Sequence, residues 1–115
     1  MTFVPLRRKR LSERGFNKSE LLARGIAARA GLAAAACLEK SGRTRNQNEL
    51  PRDERLANLR GAFRPRAGAR AGLAGKTALL VDDVMTTGAT LDECSRALLA
   101  AGAREVRCIT LARGI

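Results

Sequence analysis

The sequence predicts an α/β protein built on a parallel sheet, and three observations predict it. Strand-like and helix-like patterns alternate along the chain. Thr77–Val81 is a continuous apolar run, as a strand covered on both faces requires. Shortly after it, Leu91, Cys94, Ser95, Leu98 and Leu99 recur at i, i+3, i+4, i+7 and i+8, the spacing of one helix face. The 115 residues suit one core, so a single domain over residues 1–115 is expected.

Taken in order, Thr2–Leu6 reads as a short β segment broken by Pro5, followed by a basic turn, Arg7-Arg8-Lys9-Arg10. A helix is predicted from about Asn17 to Ala30. Leu22, Ile26 and Ala30 form its apolar face, widened by Leu21 and Gly25. Asn17 or Ser19 suits its start, and Gly31 its left-handed stop. Leu32–Leu38 reads as a short buried strand on length and flanks, although its alanines favour a helix. Glu39–Glu49 is polar and aperiodic, so a loop is expected there. Pro51 opens a short charged helix to about Asn58, and Arg60–Arg64 reads as a strand. After a glycine-punctuated connection come the Thr77–Val81 strand, a helix over Leu91–Ala101 stopped by Gly102, and a last buried strand, Val106–Leu111.

Composition narrows the chemistry. Lys and Arg total 22 against 11 acidic residues, and the net charge of +11 favours polyanionic partners or phosphorylated metabolites. A solvated Arg-rich surface accounts for the same charge equally well. With no His, Trp or Tyr, the chain excludes His-based triads and imidazole zinc sites. Cys37, Cys94 and Cys108 form no CxxC pair, so free thiols in a reducing cytosol are expected, with Cys94 and Cys108 in the core. No apolar run approaches the roughly 18 residues of a membrane helix, and no secretory leader is recognisable. A soluble, cytoplasmic protein without membrane insertion is the expectation. The aromatic share of 3% leaves the core to Ala and aliphatic residues, which points to modest stability.

The chemistry concentrates in Leu79-Leu80-Val81-Asp82-Asp83-Val84-Met85-Thr86-Thr87-Gly88-Ala89-Thr90. Ligands of open α/β sheets bind beyond the carboxyl ends of the strands, where Asp82 and Asp83 are expected. Adjacent carboxylates there accept hydrogen bonds from vicinal hydroxyls or help hold a hydrated Mg²⁺. Thr86 to Thr90 lead into a helix N-terminus, whose N–H groups and dipole favour a phosphate. Gly88 allows close backbone approach. A diol site followed by a monophosphate site outlines a phosphorylated ribose such as phosphoribosyl pyrophosphate. Thr90-Leu91-Asp92-Glu93 also reads as a capping box, which explains Thr90 and Glu93 but neither the acid pair nor the Thr-Thr-Gly run. Gly72 to Thr77 superficially resembles a nucleotide P-loop, yet position 70 is Arg70 where a glycine is needed, and the segment precedes a strand.

The acid pair and Thr-Thr-Gly-x-Thr closely resemble the phosphoribosyl pyrophosphate signature of type I phosphoribosyltransferases. Val4-Pro5-Leu6, Arg10 to Asn17, Thr44-Arg45-Asn46-Gln47, Arg55, Asn58 and Gly61-Ala62-Phe63 extend the resemblance to the ComF (competence protein F) branch over nearly the whole chain. The resemblance implies a type I phosphoribosyltransferase-like fold, a sheet of about five parallel strands ordered 3-2-1-4-5 and flanked by helices. It assigns Asp82 and Asp83 to the ribose hydroxyls and Mg²⁺, and Thr86, Thr87, Gly88, Ala89 and Thr90 to the 5-phosphate. Leu6, Arg7 and Arg8 match the pyrophosphate loop. Arg43, Thr44 and Arg45 lie where a flexible loop closes over the site, with Arg43 and Arg45 among the catalytic residues. Lys18 stands where ComF-like chains usually have Gln, and Arg7 where they often have His. Their common upstream four-cysteine zinc segment and leading helix are not in this sequence, so a form shortened at its amino end is expected.

Two function classes follow. One is a transferase moving phosphoribosyl from its pyrophosphate to a nitrogen nucleophile, with Mg²⁺ as cofactor. The other is a non-catalytic module of DNA uptake, which contacts single-stranded DNA or the competence machinery through its basic surface. A homodimer is compatible with either.

Overall fold

The computed structural model of the chain describes residues 1–6, 12–13, 15–40, 61–85 and 88–113. The elements are β1 (Thr2–Phe3), α1 (Lys18–Ala30), β2 (Leu38–Lys40), β3 (Phe63–Pro65), α2 (Ala69–Leu73), β4 (Thr77–Met85), α3 (Ala89–Ala100) and β5 (Glu105–Arg113). The α/β class stands; among the described residues the parallel sheet has three strands, ordered β1-β4-β5, where about five were expected. Phe3 pairs with Val81, and Val81 with Ile109. The central position of β4 explains its unbroken apolar start. Expected neighbours 1-4-5 are therefore present, whereas β2 and β3 pair with each other in antiparallel fashion. Both have three residues, and Pro65 lacks the N–H that a central ladder needs.

The predicted strand Leu32–Leu38 is a correction: only Leu38 enters β2, and residues 32–37 are irregular. That stretch still runs beside β1. Ala35 N–H donates to Met1 O at 3.0 Å, but Cys37 N–H goes to the Thr2 hydroxyl at 3.3 Å instead of a backbone carbonyl. Alanines give a pleated surface little to pack, and a side chain has taken a bond that a ladder would use. The strand placed at Arg60–Arg64 lies instead at Phe63–Pro65. Glu39 and Lys40, read as loop, belong to β2. The rest of that loop, the Pro51–Asn58 helix and the Arg7–Arg10 turn lie outside the described residues.

Helix α1 begins and ends as its sequence predicts. Asn17 caps it with an extended backbone, and Gly31 closes it at φ 71°. The buried face is Ser19, Ala23 and Ala27, with Leu22 partly buried beside them, whereas Ile26 and Ala30 are exposed. Small side chains let the helix lie close to the sheet against Phe3 and Val81, while Leu21 is left 60% exposed. On the opposite face of β4, Leu80 packs with Leu91, Cys94 and Leu98 of α3 and with Leu38 of β2 and Phe63 of β3. Leu80 and Val81 thus serve opposite layers, as the two-residue period of a strand dictates. Strand β5 is an edge of the sheet and not the buried strand expected: Leu111 is 74% exposed, and Cys108 is exposed where a core position was predicted. No described helix is long and apolar enough to cross a membrane.

Candidate functional site

Strand β4 runs on to Met85, so Asp82 and Asp83 lie within its carboxyl part and not in the loop after it. Asp82 is in register with Thr110 of β5. Its Oδ1 accepts the Ser19 hydroxyl at 3.0 Å and the Asp83 N–H at 2.9 Å. Burial pushes the Asp82 carboxyl up from its ordinary 3.8 to about 6; the Ser19 hydrogen bond opposes this, and the adjacent Asp83 carboxyl adds to it. Although successive strand residues start toward opposite faces, the two carboxyl groups remain close enough to interact with each other. Asp83 lines an open groove of about 570 Å³ between α1 and β5, with Lys18, Leu21, Ile26 and Leu111.

Three residues beyond β4, Gly88 caps α3 at φ 82° and ψ −5°, with no side-chain cap hydrogen bond. A left-handed backbone of this kind suits glycine. The expected capping box does not form, because Thr90 lies inside the helix and Glu93 pairs with Arg96 at 4.0 Å. The helix begins two residues earlier than its apolar periodicity suggested, so Thr90 is not explained by capping. Gly88, Ala89 and Thr90 are partly buried in the first turn.

At the carboxyl side of the neighbouring strand β1, Leu6 is partly buried. Val4 ties this segment to β4 through its N–H to Val81 O at 3.0 Å. The structure therefore gathers Asp82, Asp83 and the Gly88–Thr90 helix start toward the carboxyl end of the sheet, the end to which the Leu6 segment also leads. Arg7, Arg8, Arg43, Arg45, Thr86 and Thr87 lie outside the described residues. Among the described residues, no group of three or more His, Cys, Asp or Glu side chains is placed to hold a metal. Two adjacent carboxylates nonetheless fit Mg²⁺, which keeps several waters and takes substrate oxygens as further ligands.

Sequence reasoning missed the role of Ser19. It offered Asn17 and Ser19 as alternative caps; the fold uses Asn17 as the cap and turns Ser19 toward Asp82. The surplus capping residue was the available signal.

Residues 17–115 match the family model described as the phosphoribosyl transferase domain. The chain is 36% identical over 111 residues to the DNA utilization protein YhgH of Salmonella typhi, covering 96% of this chain and 47% of that protein. It is 34% identical over 111 residues to the competence protein ComFC of Streptococcus pneumoniae, with 96% and 46% covered. Against competence protein F of Haemophilus influenzae the identity is 33% over 111 residues, with 96% and 48% covered. The chain thus spans about half the length of the curated relatives it matches.

Proposed function

The chain belongs to the phosphoribosyl transferase domain family, in the branch of the ComF-type proteins, and from that premise we propose that it binds phosphoribosyl pyrophosphate with Mg²⁺ and transfers the phosphoribosyl group to a nitrogen nucleophile. The observation that carries the reading is the acid pair on β4 standing shortly before a glycine-led helix start that lacks a side-chain cap hydrogen bond. Asp82 and Asp83 accept hydrogen bonds from the ribose hydroxyls. The first turn of α3 faces the 5-phosphate, with Gly88 admitting it to the backbone and Thr87 and Thr90 adding hydroxyls. When bound, Mg²⁺ supplies charge neutralisation for the pyrophosphate, held through Asp82 and Asp83. In the reaction, the anomeric C–O bond breaks with its electron pair leaving on pyrophosphate, the C–N bond forms, and the nitrogen loses a proton. Arg7, Arg8, Arg43 and Arg45 serve the leaving charge in this reading. The three cysteines are free, which supports a cytoplasmic setting.

Calorimetry tests the binding step. Phosphoribosyl pyrophosphate should bind the folded chain in Mg²⁺ and be displaced by ribose 5-phosphate. No heat and no competition would refute the assignment.

A second reading rests on the net charge of +11 and on relatives named for DNA utilization and competence. In it, single-stranded DNA contacts exposed basic side chains such as Arg66, Arg70 and Lys76 through its phosphates. The pair Asp82→Asn, Asp83→Asn removes two negative charges, so it should abolish phosphoribosyl pyrophosphate binding and leave DNA affinity equal or higher. Wild type without DNA binding at low salt would end this reading.

A further inference from the structure

We propose that Ser19 is a positioning residue for the acid pair: its hydroxyl, set by the Asn17-capped start of α1, holds Asp82 by Oδ1 and thereby turns Oδ2 toward the ligand. The inference rests on the reading of the acid pair given above. Ser19 is only 4% exposed and Asn17 only 7%. Their contacts form a closed circuit. Asn17 Nδ2 donates to Val4 O at 3.0 Å, and Val4 N–H donates to Val81 O at 3.0 Å. Val81 is bonded to Asp82, whose Oδ1 accepts from Ser19 Oγ at 3.0 Å. Ser19 N–H returns to Asn17 Oδ1 at 3.0 Å. The segment after β1, the start of α1 and the acidic part of β4 are thus locked to one another.

Packing alone does not ask for a hydroxyl here. Ser19, Ala23 and Ala27 are the buried face of α1, and Ala at the first position would fill the same space with better helix propensity. The hydroxyl has one described role, the bond to Asp82. Because Asp83 N–H bonds to the same oxygen at 2.9 Å, Oδ1 is engaged from two sides and the carboxylate cannot swing without breaking both bonds. A carboxylate fixed in advance loses less freedom when a ribose diol arrives.

The test compares wild type, Ser19→Ala and Ser19→Thr, with circular dichroism confirming the fold of each. Two readouts are used: calorimetric affinity for phosphoribosyl pyrophosphate in Mg²⁺, and hydrogen exchange of the Asp83 amide without ligand. Ser19→Ala should weaken binding about tenfold, the scale of one hydrogen bond to a charged group. It should also speed Asp83 exchange while leaving the Leu80 amide unchanged. Ser19→Thr, which keeps the hydroxyl, should restore both. Unchanged Asp83 exchange in Ser19→Ala overturns the proposal, as does failure of a folded Ser19→Thr to restore it. If wild type does not bind phosphoribosyl pyrophosphate, the functional reading of the site falls, and exchange at Asp83 alone decides the role of Ser19.

Discussion

Replacing Asp82 with Asn should make the ligand-free protein more stable at neutral pH while destroying its proposed site. Asn keeps an Oδ1 that accepts from Ser19 and from the Asp83 N–H, so the two hydrogen bonds at 3.0 and 2.9 Å survive. What disappears is a partly desolvated charge beside a second carboxylate. The Asp82 carboxyl rises from 3.8 to about 6 on folding, burial being the main cause. At 1.36 kcal/mol per pH unit the full difference is about 3 kcal/mol, and solvent screening at a partly exposed side chain reduces it to about 1–2 kcal/mol. The sign follows from proton binding: between these two values the folded state holds more protons than the unfolded one, so stability falls as pH rises from about 4 to about 6. The destabilisation is complete above pH 6 and absent below pH 3.8. Urea unfolding at pH 8 should therefore find Asp82→Asn more stable than wild type by about 1–2 kcal/mol, with the gap closing toward pH 4. A variant less stable than wild type at pH 8, or a gap independent of pH, would mean that the Asp82 charge does not destabilise the fold. Phosphoribosyl pyrophosphate with Mg²⁺ at about 100 times its Kd should then stabilise wild type by about 2.7 kcal/mol and leave the variant unmoved.

Asn17→Ala removes the cap of α1 and leaves the Val4 carbonyl without its side-chain donor; a loss of about 2–3 kcal/mol in urea is expected, and one below about 0.5 kcal/mol would show that the circuit contributes little. Gly88→Val puts a β-branched residue at φ 82°, which should destabilise by about 1–3 kcal/mol and abolish phosphoribosyl pyrophosphate binding; a folded variant of unchanged affinity would move the phosphate elsewhere. Cys108 is exposed, whereas Cys94 is buried and its thiol is pushed far up by burial, so a maleimide should label Cys108 in the folded protein and Cys94 only after unfolding; equal labelling would contradict the packing of α3.

Features that depend on near neighbours are legible in the chain. Asn17 and Gly31 bound α1 because capping and a left-handed stop are settled within a few residues. The apolar run of β4 implied a central parallel strand, and the spacing of Leu91, Cys94 and Leu98 a helix buried along that line. The places of the acid pair on β4 and of Gly88 at the start of α3 were legible because they follow one another along one stretch of chain. Choices between distant partners were not legible. Periodicity put Leu22, Ile26 and Ala30 on the inner face of α1; Leu22 does pack against Phe3 and Val81, but the fully buried positions are the small Ser19, Ala23 and Ala27. Nothing local says that Leu38–Lys40 and Phe63–Pro65 pair with each other instead of widening the sheet. The exposure of Cys108 follows from the edge position of β5, a property of the sheet and not of the strand. Ser19 and Asp82 are 63 positions apart, and only the packing of α1 on β4 brings hydroxyl and carboxylate within hydrogen-bond reach. A side chain's helix or strand tendency is written in its neighbours, but its partner is chosen by the layer packed against it.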